Sequence, residues 1–181
     1  RNYAQLGALA AIVDADAGLT ERLAKEFSVK VLSWSEILAD KSIEGVAIAT
    51  PASSHYTLAR EALEAGKHVF VEKPLALKVE EAEALCEIAE RAGRCLMVGH
   101  LLQYHPAFIE LKRMVASGEL GKLQYVYSNR LNFGKVRVEE DILWSFAPHD
   151  ISMILALTGN DPYRVRAIGS YHLHDSIADV T

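Results

Sequence analysis

The sequence predicts an α/β protein in which a doubly wound parallel sheet is followed by a second, α+β domain with a mainly antiparallel open sheet. Two observations support this. Up to about residue 100, short strands that are apolar on both faces alternate with amphipathic helices, which is typical of a parallel sheet covered by helices. Beyond that point the strands become longer and alternate in polarity, which indicates a sheet with one wetter face.

The elements of the first domain follow from the period of its apolar residues. The opening "RNYAQLG" is typical of the last turns of a helix that Gly7 closes. Ser33 and Glu36 have capping-box spacing and predict the start of a short helix. Gly66 and Gly93 end two longer helices. The predicted strands are 8–13, 29–32, 45–50, 68–71 and 95–98, and the predicted longer helices are 19–27, 55–65 and 80–92.

The second domain has fewer and longer elements. The predicted elements are a helix and its exit at 106–121, a strand at 122–134, a helix at 149–159 and a strand at 163–174. We place the domain boundary between residues 102 and 103. The chain starts without methionine, on the end of a helix, and stops in what could be a strand. We therefore expect 1–102 to be truncated at its N-terminus and 103–181 at its C-terminus.

The composition excludes several classes of protein. The chain has 181 residues, half of them hydrophobic, with a formal net charge of -5 and a pI near 5.8. This mildly acidic balance gives no basic footprint for nucleic acid or for an anionic membrane. No apolar run approaches the ~20 residues needed to span a bilayer, so we expect a cytoplasmic protein. Cys86 and Cys95 lack disulfide or metal-ligand spacing and are interpreted as reduced core thiols.

The stretch "HVFVEKPLAL" places Glu72, Lys73 and Pro74 directly after a predicted buried strand. Ligands of open parallel sheets bind outside the carboxyl ends of the strands, so this charged pair is a candidate for a binding crevice. Pro74 stiffens the turn and thereby sets the direction of Lys73. An ordinary surface turn, with its lysine reaching into water, explains the same residues equally well on position alone.

Two other strand ends carry candidate binding residues. Asp14 follows the strand 8–13, and an acidic residue there hydrogen-bonds the adenosine ribose in dinucleotide-binding sheets. An aspartate at this point is also a common turn or helix-cap residue. The strand 45–50 runs into "PASSH", whose small residues allow a ligand to approach a helix N-terminus. A plain N-cap at Ser53 or Ser54 explains this segment as well.

The composite "VAIATPASSHYTLAREALEAGKHVFVEKPLAL", residues 46–77, resembles the signature of the glucose-fructose oxidoreductase, inositol dehydrogenase and MocA family (Gfo/Idh/MocA). The resemblance implies that 1–102 is an N-terminal Rossmann domain that binds NAD or NADP, with its first strand and glycine-rich loop lying before Arg1. It also implies that 103–181 belongs to a domain for substrate binding and oligomerisation, with a homo-oligomer formed through its sheet.

The resemblance assigns roles to individual residues of the first domain. It assigns Lys73 to the reacting hydroxyl beside the nicotinamide, and it implies a cis peptide bond between Lys73 and Pro74. Asp14, on the ribose, favours NAD over NADP because a carboxylate repels a 2′-phosphate. The implied cofactor-binding residues are Asp14, Thr50, Pro51, His55, Glu72, Lys73 and Pro74.

The segment "LWSFAPHDIS", residues 143–152, resembles the family's Asp-x-Gly-x-His-x-x-Asp element, with His149 on its active-site histidine. It departs from that pattern, because Ser145, Ala147 and Ser152 replace the aspartate, the glycine and the second aspartate. Asp150 is an additional acid. The segment also resembles the branch that acts on nucleotide-linked amino sugars, including UDP-N-acetylglucosamine and its uronic acid, by oxidation at the C3 hydroxyl.

Further substrate-binding candidates come from the start of the second domain and from its first strand. "GHLLQYHP", residues 99–106, resembles the family segment that leads into the substrate domain, which makes Gln103, Tyr104 and His105 candidate pocket residues. A helix start before Pro106 explains His105 at least as well. The implied substrate-binding residues are Gln103, Tyr104, Arg130, Asn132, Ser145 and Asp150, and Arg137 could also reach a diphosphate. His172 and His174 precede Asp175 at a spacing that a metal could use, but we interpret them as a solvated sheet face and predict no metal site.

The implied function is that of an NAD-dependent oxidoreductase, which transfers a hydride from a hydroxyl-bearing carbon of a sugar, expected to be a nucleotide sugar, to nicotinamide. We assign His149 as the general base, since an imidazole can accept a proton near neutral pH. Lys73 then stabilises the developing negative charge, although the two roles could be exchanged. Two alternatives keep the same cofactor residues: a redox-neutral glycosidase that uses NAD transiently, and a non-catalytic NAD-binding regulator.

Overall fold

Parallel strands form the framework of the first part of the chain. The computed structural model describes residues 1–131 and 141–181, and the chain divides into two units, Arg1–Met97 and Val98–Thr181. The strands are β1 Ala11–Ile12, β2 Lys30–Val31, β3 Gly45–Ile48, β4 His68–Val71 and β5 Leu96–Val98. β1 pairs with β2 in parallel, and β3 pairs with β4 in parallel within a sheet of order β3-β4-β5. The parallel α/β architecture is confirmed, but the strands form two separate sheets in the described residues.

Helices separate these strands along the chain. The helices are α1 Asn2–Gln5, α2 Ala17–Phe27, α3 Trp34–Ala39, α4 His55–Glu64, α5 Val79–Ala92, α6 Pro106–Ser117 and α7 Ile142–Thr158, and 3₁₀ turns lie at Ala52–Ser54 and Leu101–Tyr104. The predicted capping box opens α3, because the Ser33 hydroxyl accepts from the amide of Glu36 and the Glu36 carboxylate accepts from the amide of Ser33. Hydrogen bonds from the Ser33 hydroxyl and amide lower the pKa of Glu36.

The core of the first unit lies between α4, α5 and the β3-β4-β5 sheet. α4 contacts β3, β4 and α5, and the side chains of Leu63 on α4 and Leu85 on α5 are fully buried. Val69 and Val71, alternate residues of β4, are buried as well. Burying a leucine or valine side chain contributes about 1.5–3 kcal/mol, so this cluster stabilises the ends of β3 and β4.

The side chains of Lys67 and Trp34 attach α3 and the segment after it to this core through three hydrogen bonds. The Lys67 amino group is buried and donates to the carbonyl oxygens of Asp40 and Ile43, at 2.5 and 2.8 Å. The Trp34 indole donates to the Glu61 carboxylate on α4 at 2.6 Å. Because these partners lie far apart in the sequence, the local apolar period predicts none of these three bonds.

His105 and Pro106 open α6. The Nδ1 atom of His105 accepts from the amide of Ala107 at 3.2 Å, and Pro106 occupies the first turn, where its missing amide costs nothing. The structure therefore places His105 in the helix-start role that the sequence offered as an alternative to the pocket.

The predicted start of α7 is wrong. The sequence predicted a helix over 149–159, whereas α7 begins at Ile142. Asp141 makes the earlier start possible, because its carboxylate accepts from the amide of Trp144 at 2.9 Å and caps the first turn. Pro148 lies inside the helix. A proline removes one amide donor from the helix, and α7 continues through Pro148 although that hydrogen bond is missing.

The predicted sheet of the second domain is not formed by the described residues. The described parts of the two predicted strands, 122–131 and 163–174, are assigned to no strand. Within the described residues, antiparallel pairing beyond the named strands is limited to the bridge between Ser170 and Val180. Alternating polarity predicts an extended segment but does not provide a second strand to pair with it. Without that strand, the backbone amides and carbonyls of the segment form no sheet hydrogen bonds.

The two cysteines lie at the surface of the first unit. Cys86 and Cys95 are free, as predicted, but both are exposed, so their interpretation as core thiols is wrong. Cys86 follows the buried Leu85 on α5, and one step along a helix turns a side chain by about 100° away from its neighbour.

Among the described residues, no helix combines the length and the apolarity that crossing a membrane requires.

Candidate functional site

The loops that follow β3 and β4 leave the sheet at the same edge. The two strands are parallel and paired along their whole length. The amide of Glu72 donates to the carbonyl of Ile48 at 2.9 Å, which extends the pairing by one residue. The Lys73–Pro74 peptide bond that follows is cis, so this prediction is confirmed. The loop that carries Lys73 therefore starts beside the loop that carries Thr50.

His55 connects these two loops. It is the first residue of α4, and its side chain is 1% exposed. Its Nδ1 atom lies 2.7 Å from the carbonyl oxygen of Pro74, and its Nε2 atom lies 2.8 Å from the carbonyl oxygen of Thr50. The resemblance placed His55 among the cofactor-binding residues, and the structure places both of its ring nitrogens on backbone carbonyls.

The turn between β3 and α4 is held by hydroxyl groups. The Ser54 hydroxyl donates to the carbonyl of Pro51 at 2.8 Å. Its oxygen lies 2.7 Å from the Thr50 hydroxyl, which is left to act as the donor in this contact. Ser54 makes no side-chain cap to the amides of α4, so the plain N-cap explanation does not hold for Ser54. Thr50 and Pro51 are both exposed, which leaves them accessible to a ligand.

Asp14 lies shortly after β1 and is exposed. Its carboxylate accepts a hydrogen bond from the amide of Asp16 at 2.9 Å. Asp16 in turn is the N-cap of α2, because its carboxylate accepts from the amide of Leu19 at 3.0 Å. The turn role that the sequence offered for Asp14 is therefore real. It also fixes the carboxylate in one orientation at the carboxyl end of the strand.

In the second unit, the carboxylate of Asp150 on α7 accepts hydrogen bonds from two side chains of the segment 122–131. The Ser128 hydroxyl and the Arg130 Nε atom donate to its two carboxylate oxygens, at 2.7 and 2.5 Å. The Arg130 guanidinium also lies over the ring of Phe146, 5.8 Å from its centroid. Burial raises the pKa of Asp150, but the hydrogen bonds from Arg130 and Ser128 outweigh it, so the pKa lies below its ordinary value. The positive charge of Arg130 adds to this lowering.

His149, the candidate base, lies on α7 next to a second histidine. Its side chain is 9% exposed, and Ser145, one helical turn earlier, is buried as well. The ring of His100 meets the ring of His149 edge to face, with centroids 6.3 Å apart and planes at 85°. Burial lowers the pKa of His100, so the neutral ring is favoured. Sequence reasoning did not predict this contact, because His100 and His149 lie far apart in the chain and their rings meet only through the fold.

Gln103 is engaged within the second unit. Its amide nitrogen donates to the carbonyl of Ser152 on α7 at 2.8 Å, and its amide oxygen accepts from Lys112 on α6 at 3.4 Å. Tyr104, beside it, is 63% exposed. Gln103 thus joins the 3₁₀ turn to both helices, while Tyr104 is accessible. Asn132 and Arg137 lie outside the described residues.

His172 and His174 lie in a turn that Asp179 organises. The Asp179 carboxylate accepts from the amides of His172 and Leu173, at 2.7 and 2.6 Å, and these bonds lower its pKa. The two histidines are therefore part of a loop and not of the predicted sheet face. Within 1–131 and 141–181, no group of three histidine, cysteine, aspartate or glutamate residues has an arrangement that could hold a metal ion.

The fold and these loops define a class of protein. Parallel strands separated by helices, with polar loops at the carboxyl ends of β3 and β4, are typical of dinucleotide-binding proteins. Residues 1–100 match the oxidoreductase family with an NAD-binding Rossmann fold, GFO_IDH_MocA, and the chain belongs to this family. The predicted family is confirmed. The predicted domain boundary and the predicted site residues stay predictions.

The chain is similar to characterised members of this family. It is 33% identical to UDP-N-acetylglucosamine 3-dehydrogenase of Acidithiobacillus ferrooxidans over 171 residues, which cover 93% of this chain and 53% of that protein. A solved structure of this enzyme matches with a TM-score of 0.86 and 34% identity, over 98% of this chain and 57% of the other. It is 37% identical to scyllo-inositol 2-dehydrogenase (NAD(+)) of Bacillus subtilis over 121 residues, or 65% of this chain and 35% of that protein. The chain thus spans about half, or less, of the length of these curated relatives.

Proposed function

We propose that the protein is an NAD-dependent oxidoreductase that transfers a hydride from a hydroxyl-bearing carbon of a sugar to nicotinamide. The observation that carries the proposal is that His55 connects the loops after β3 and β4. Its two ring nitrogens lie at hydrogen-bond distance from the carbonyl oxygens of Thr50 and of Pro74, the residue that follows Lys73. Membership of the NAD-binding oxidoreductase family supports it, as does the similarity to dehydrogenases of inositol and of a nucleotide sugar.

The strand ends of the first unit suit a dinucleotide. Asp14 presents an exposed carboxylate, which accepts hydrogen bonds from ribose hydroxyls and repels a 2′-phosphate. Thr50 and Pro51 are exposed and are followed by small residues, so no bulky side chain blocks an approach to the backbone there. We expect the full-length protein to bind NAD more tightly than NADP.

A titration of the full-length protein with both cofactors tests this preference. An Asp14→Ser variant should narrow the difference between the two dissociation constants. Asp16→Asn is the matched control, because it removes a charge two positions away while asparagine still caps α2. Similar affinities of the wild-type protein for NAD and NADP would contradict the assignment of Asp14.

In the proposed mechanism, the residues of the chain manage the hydroxyl proton and the oxygen. The cofactor, when bound, takes up the hydride. His149 accepts the hydroxyl proton as general base. Lys73 donates a hydrogen bond to the same oxygen and stabilises the negative charge that develops there. Exchange of these two roles gives the same overall reaction, and the pH dependence of the single variants distinguishes the two assignments.

Formation of NADH by full-length variants tests both roles. We expect Lys73→Met and His149→Asn each to lower turnover by about 10²- to 10⁴-fold, with little change in NAD affinity. The double variant should lose much less than the product of the two single losses, since groups that act as a unit are not additive. Lys78→Met and His105→Asn are the controls, because Lys78 is exposed and asparagine is a good cap at the start of α6.

The proposed substrate is a nucleotide sugar, with oxidation at a sugar hydroxyl. This step rests on the similarity to UDP-N-acetylglucosamine 3-dehydrogenase over 93% of the chain. Among the residues that the structure describes, Arg130 is the candidate for a contact with the diphosphate. Asn132 and Arg137, which lie outside the described residues, are further candidates. Comparing UDP-N-acetylglucosamine with inositol in the NADH assay tests the choice. Faster oxidation of inositol would overturn it, and cofactor binding without NADH formation on any sugar would support a glycosidase or a regulator instead.

A further inference from the structure

His55 is held rigidly at the start of α4. Ala59, Ala62 and Leu63 of the same helix are fully buried, so the helix has little freedom to shift. The imidazole itself is 1% exposed. Both ring nitrogens lie at hydrogen-bond distance from backbone carbonyls, 2.7 Å for Nδ1 to Pro74 and 2.8 Å for Nε2 to Thr50. Neither nitrogen is directed at solvent.

The chemistry of these two contacts gives His55 the donor role. A carbonyl oxygen can only accept, and an imidazole nitrogen donates only when it carries a proton. Every protonation state of a histidine has at least one N–H group, and the imidazolium has two. Hydrogen bonds in a site that excludes water are stronger than those at the surface. His55 therefore attaches at least one of these loops firmly to α4, and the imidazolium attaches both.

The position of these carbonyls decides what His55 controls. The ladder between β3 and β4 ends with the bond from the Glu72 amide to the Ile48 carbonyl. Lys73 follows Glu72 directly, and Pro74 follows Lys73. The backbone of Lys73 is thus held on one side by the ladder and on the other by His55. On the opposite loop, His55 holds the carbonyl of Thr50, past the end of β3.

We propose that His55 is a positioning residue, which sets the direction of Lys73 through Pro74 and the shape of the cofactor loop through Thr50. It acts without contacting substrate or cofactor, which differs from the cofactor-binding role that the resemblance implied. The proposal rests on the proposed function for its activity readout. Its two contacts predict two separable effects, one on turnover and one on cofactor affinity.

Two substitutions separate the two contacts. The amide nitrogen of asparagine can take the place of Nδ1, so His55→Asn keeps donation towards Pro74. The amide nitrogen of glutamine can take the place of Nε2, so His55→Gln keeps donation towards Thr50. Each variant therefore keeps a donor for one carbonyl and leaves the other carbonyl without one, and thermal unfolding compares the stability that each variant loses.

The expected result is a crossed pattern in the full-length protein. His55→Gln should bind NAD as the wild type does and lose turnover by about 10²-fold, because Lys73 is misplaced. His55→Asn should keep most of the turnover and bind NAD more weakly. His55→Leu should show both losses. Equal changes of kcat and NAD affinity in the asparagine and glutamine variants, or unchanged turnover in His55→Leu, would overturn the proposal.

A measurement on the unmodified protein covers the case in which the variants do not fold. NMR of the wild-type chain should show slowly exchanging ring N–H protons on His55, with coupling across the hydrogen bonds to the carbonyl carbons of Pro74 or Thr50. Rapid exchange at both ring nitrogens would overturn the proposal. Because this measurement needs no substrate, it stands even if the wild-type protein forms no NADH, so failure of the positioning role and failure of the proposed function are distinguishable.

Discussion

Replacing Asp150 with asparagine should destabilise the second unit. The substitution keeps the shape of the side chain but removes the charge that faces Arg130, and it replaces one of the two acceptor oxygens used by Arg130 and Ser128 with an amide donor. The side chain of Asp150 is 15% exposed and that of Arg130 is 34% exposed, so the pair lies between a buried and a surface ion pair. Breaking a buried pair costs about 3–5 kcal/mol, and a surface pair contributes about 0–1 kcal/mol. For this half-covered pair we expect a loss of about 1–2 kcal/mol at neutral pH.

The loss should depend on pH in a defined direction. The folded protein lowers the pKa of Asp150 below the ordinary value of 3.8. The carboxylate therefore stabilises the fold above that ordinary value, and its contribution is lost as the pH falls through the lowered folded pKa. The difference between the wild-type protein and Asp150→Asn should be full at pH 7 and should shrink once the pH falls below about 3.8.

Urea unfolding of the full-length protein, monitored by circular dichroism over this pH range, measures the difference. Glu110→Gln on α6 is the control, since Glu110 pairs with Arg113 at the surface, and its replacement should change the free energy of unfolding much less. Equal stability of the wild-type and Asp150→Asn proteins at pH 7 would refute the reasoning. So would a difference that stays constant down to the acid limit, because it would not come from the charge.

Three further substitutions test the packing and the polar contacts. Leu85→Ala on α5 should lower the free energy of unfolding by about 2–5 kcal/mol, because it leaves a cavity in the core, whereas Val79→Ala on the exposed start of the same helix should have little effect. Lys67→Met should cost about 1.5–3 kcal/mol, since it removes the charged donor of two partly buried hydrogen bonds. His100→Asn should abolish part of the loss of stability as the pH falls below about 6.5, because burial lowers the pKa of His100 and the unfolded chain then binds a proton that the folded chain does not.

Each of these has an outcome that contradicts it. Equal unfolding midpoints for Leu85→Ala and Val79→Ala would show that the α4–α5 contact is not the core. A stable Lys67→Met variant would mean that the carbonyls of Asp40 and Ile43 are hydrated once the amino group is gone. Parallel pH profiles of the wild-type and His100→Asn proteins would show that the buried ring does not contribute to the acid sensitivity.

Local sequence signals predicted the first unit well because its elements are specified by neighbouring residues. The capping box of Ser33 and Glu36 lies within one helical turn, and it opens α3 as expected. Gly93 ends α5 in a left-handed conformation, with φ at 61°, which the glycine predicts from its missing side chain. The predicted strand 68–71 and β4 coincide. In each case the physical cause is contained in a few adjacent residues.

The errors arise where distant residues decide the structure. The predicted helix 149–159 starts too late, because the cap at Asp141 and the apolar run after it carry α7 through Pro148. The segment around Tyr125 and Tyr127 alternates as a strand does, and the two rings stack with centroids 6.4 Å apart, yet no strand is assigned to it. A strand depends on the backbone of another segment, and a single sequence does not show which one.

The candidate site divides in the same way. The sequence located Lys73 and Pro74 at a strand end, because strand ends and prolines are local features. It did not show that both nitrogens of His55 lie on carbonyls, since Pro74 is 19 positions away. The pairing of Arg130 with Asp150 spans 20 positions and was also missed. Residue types at a site are visible in a sequence, whereas their partners depend on the fold.

The hydrogen bond between Trp34 and Glu61 gives the first unit its own optical signal. The chain has two tryptophans, Trp34 in the first unit and Trp144 in the second. The Trp34 indole lies 2.6 Å from a carboxylate on α4, the helix that begins with His55, so its emission depends on the integrity of that helix. A protein that retains only Trp34, with phenylalanine at position 144, would report the melting of the first unit by fluorescence. The reciprocal protein, with phenylalanine at position 34, would report the melting of the second.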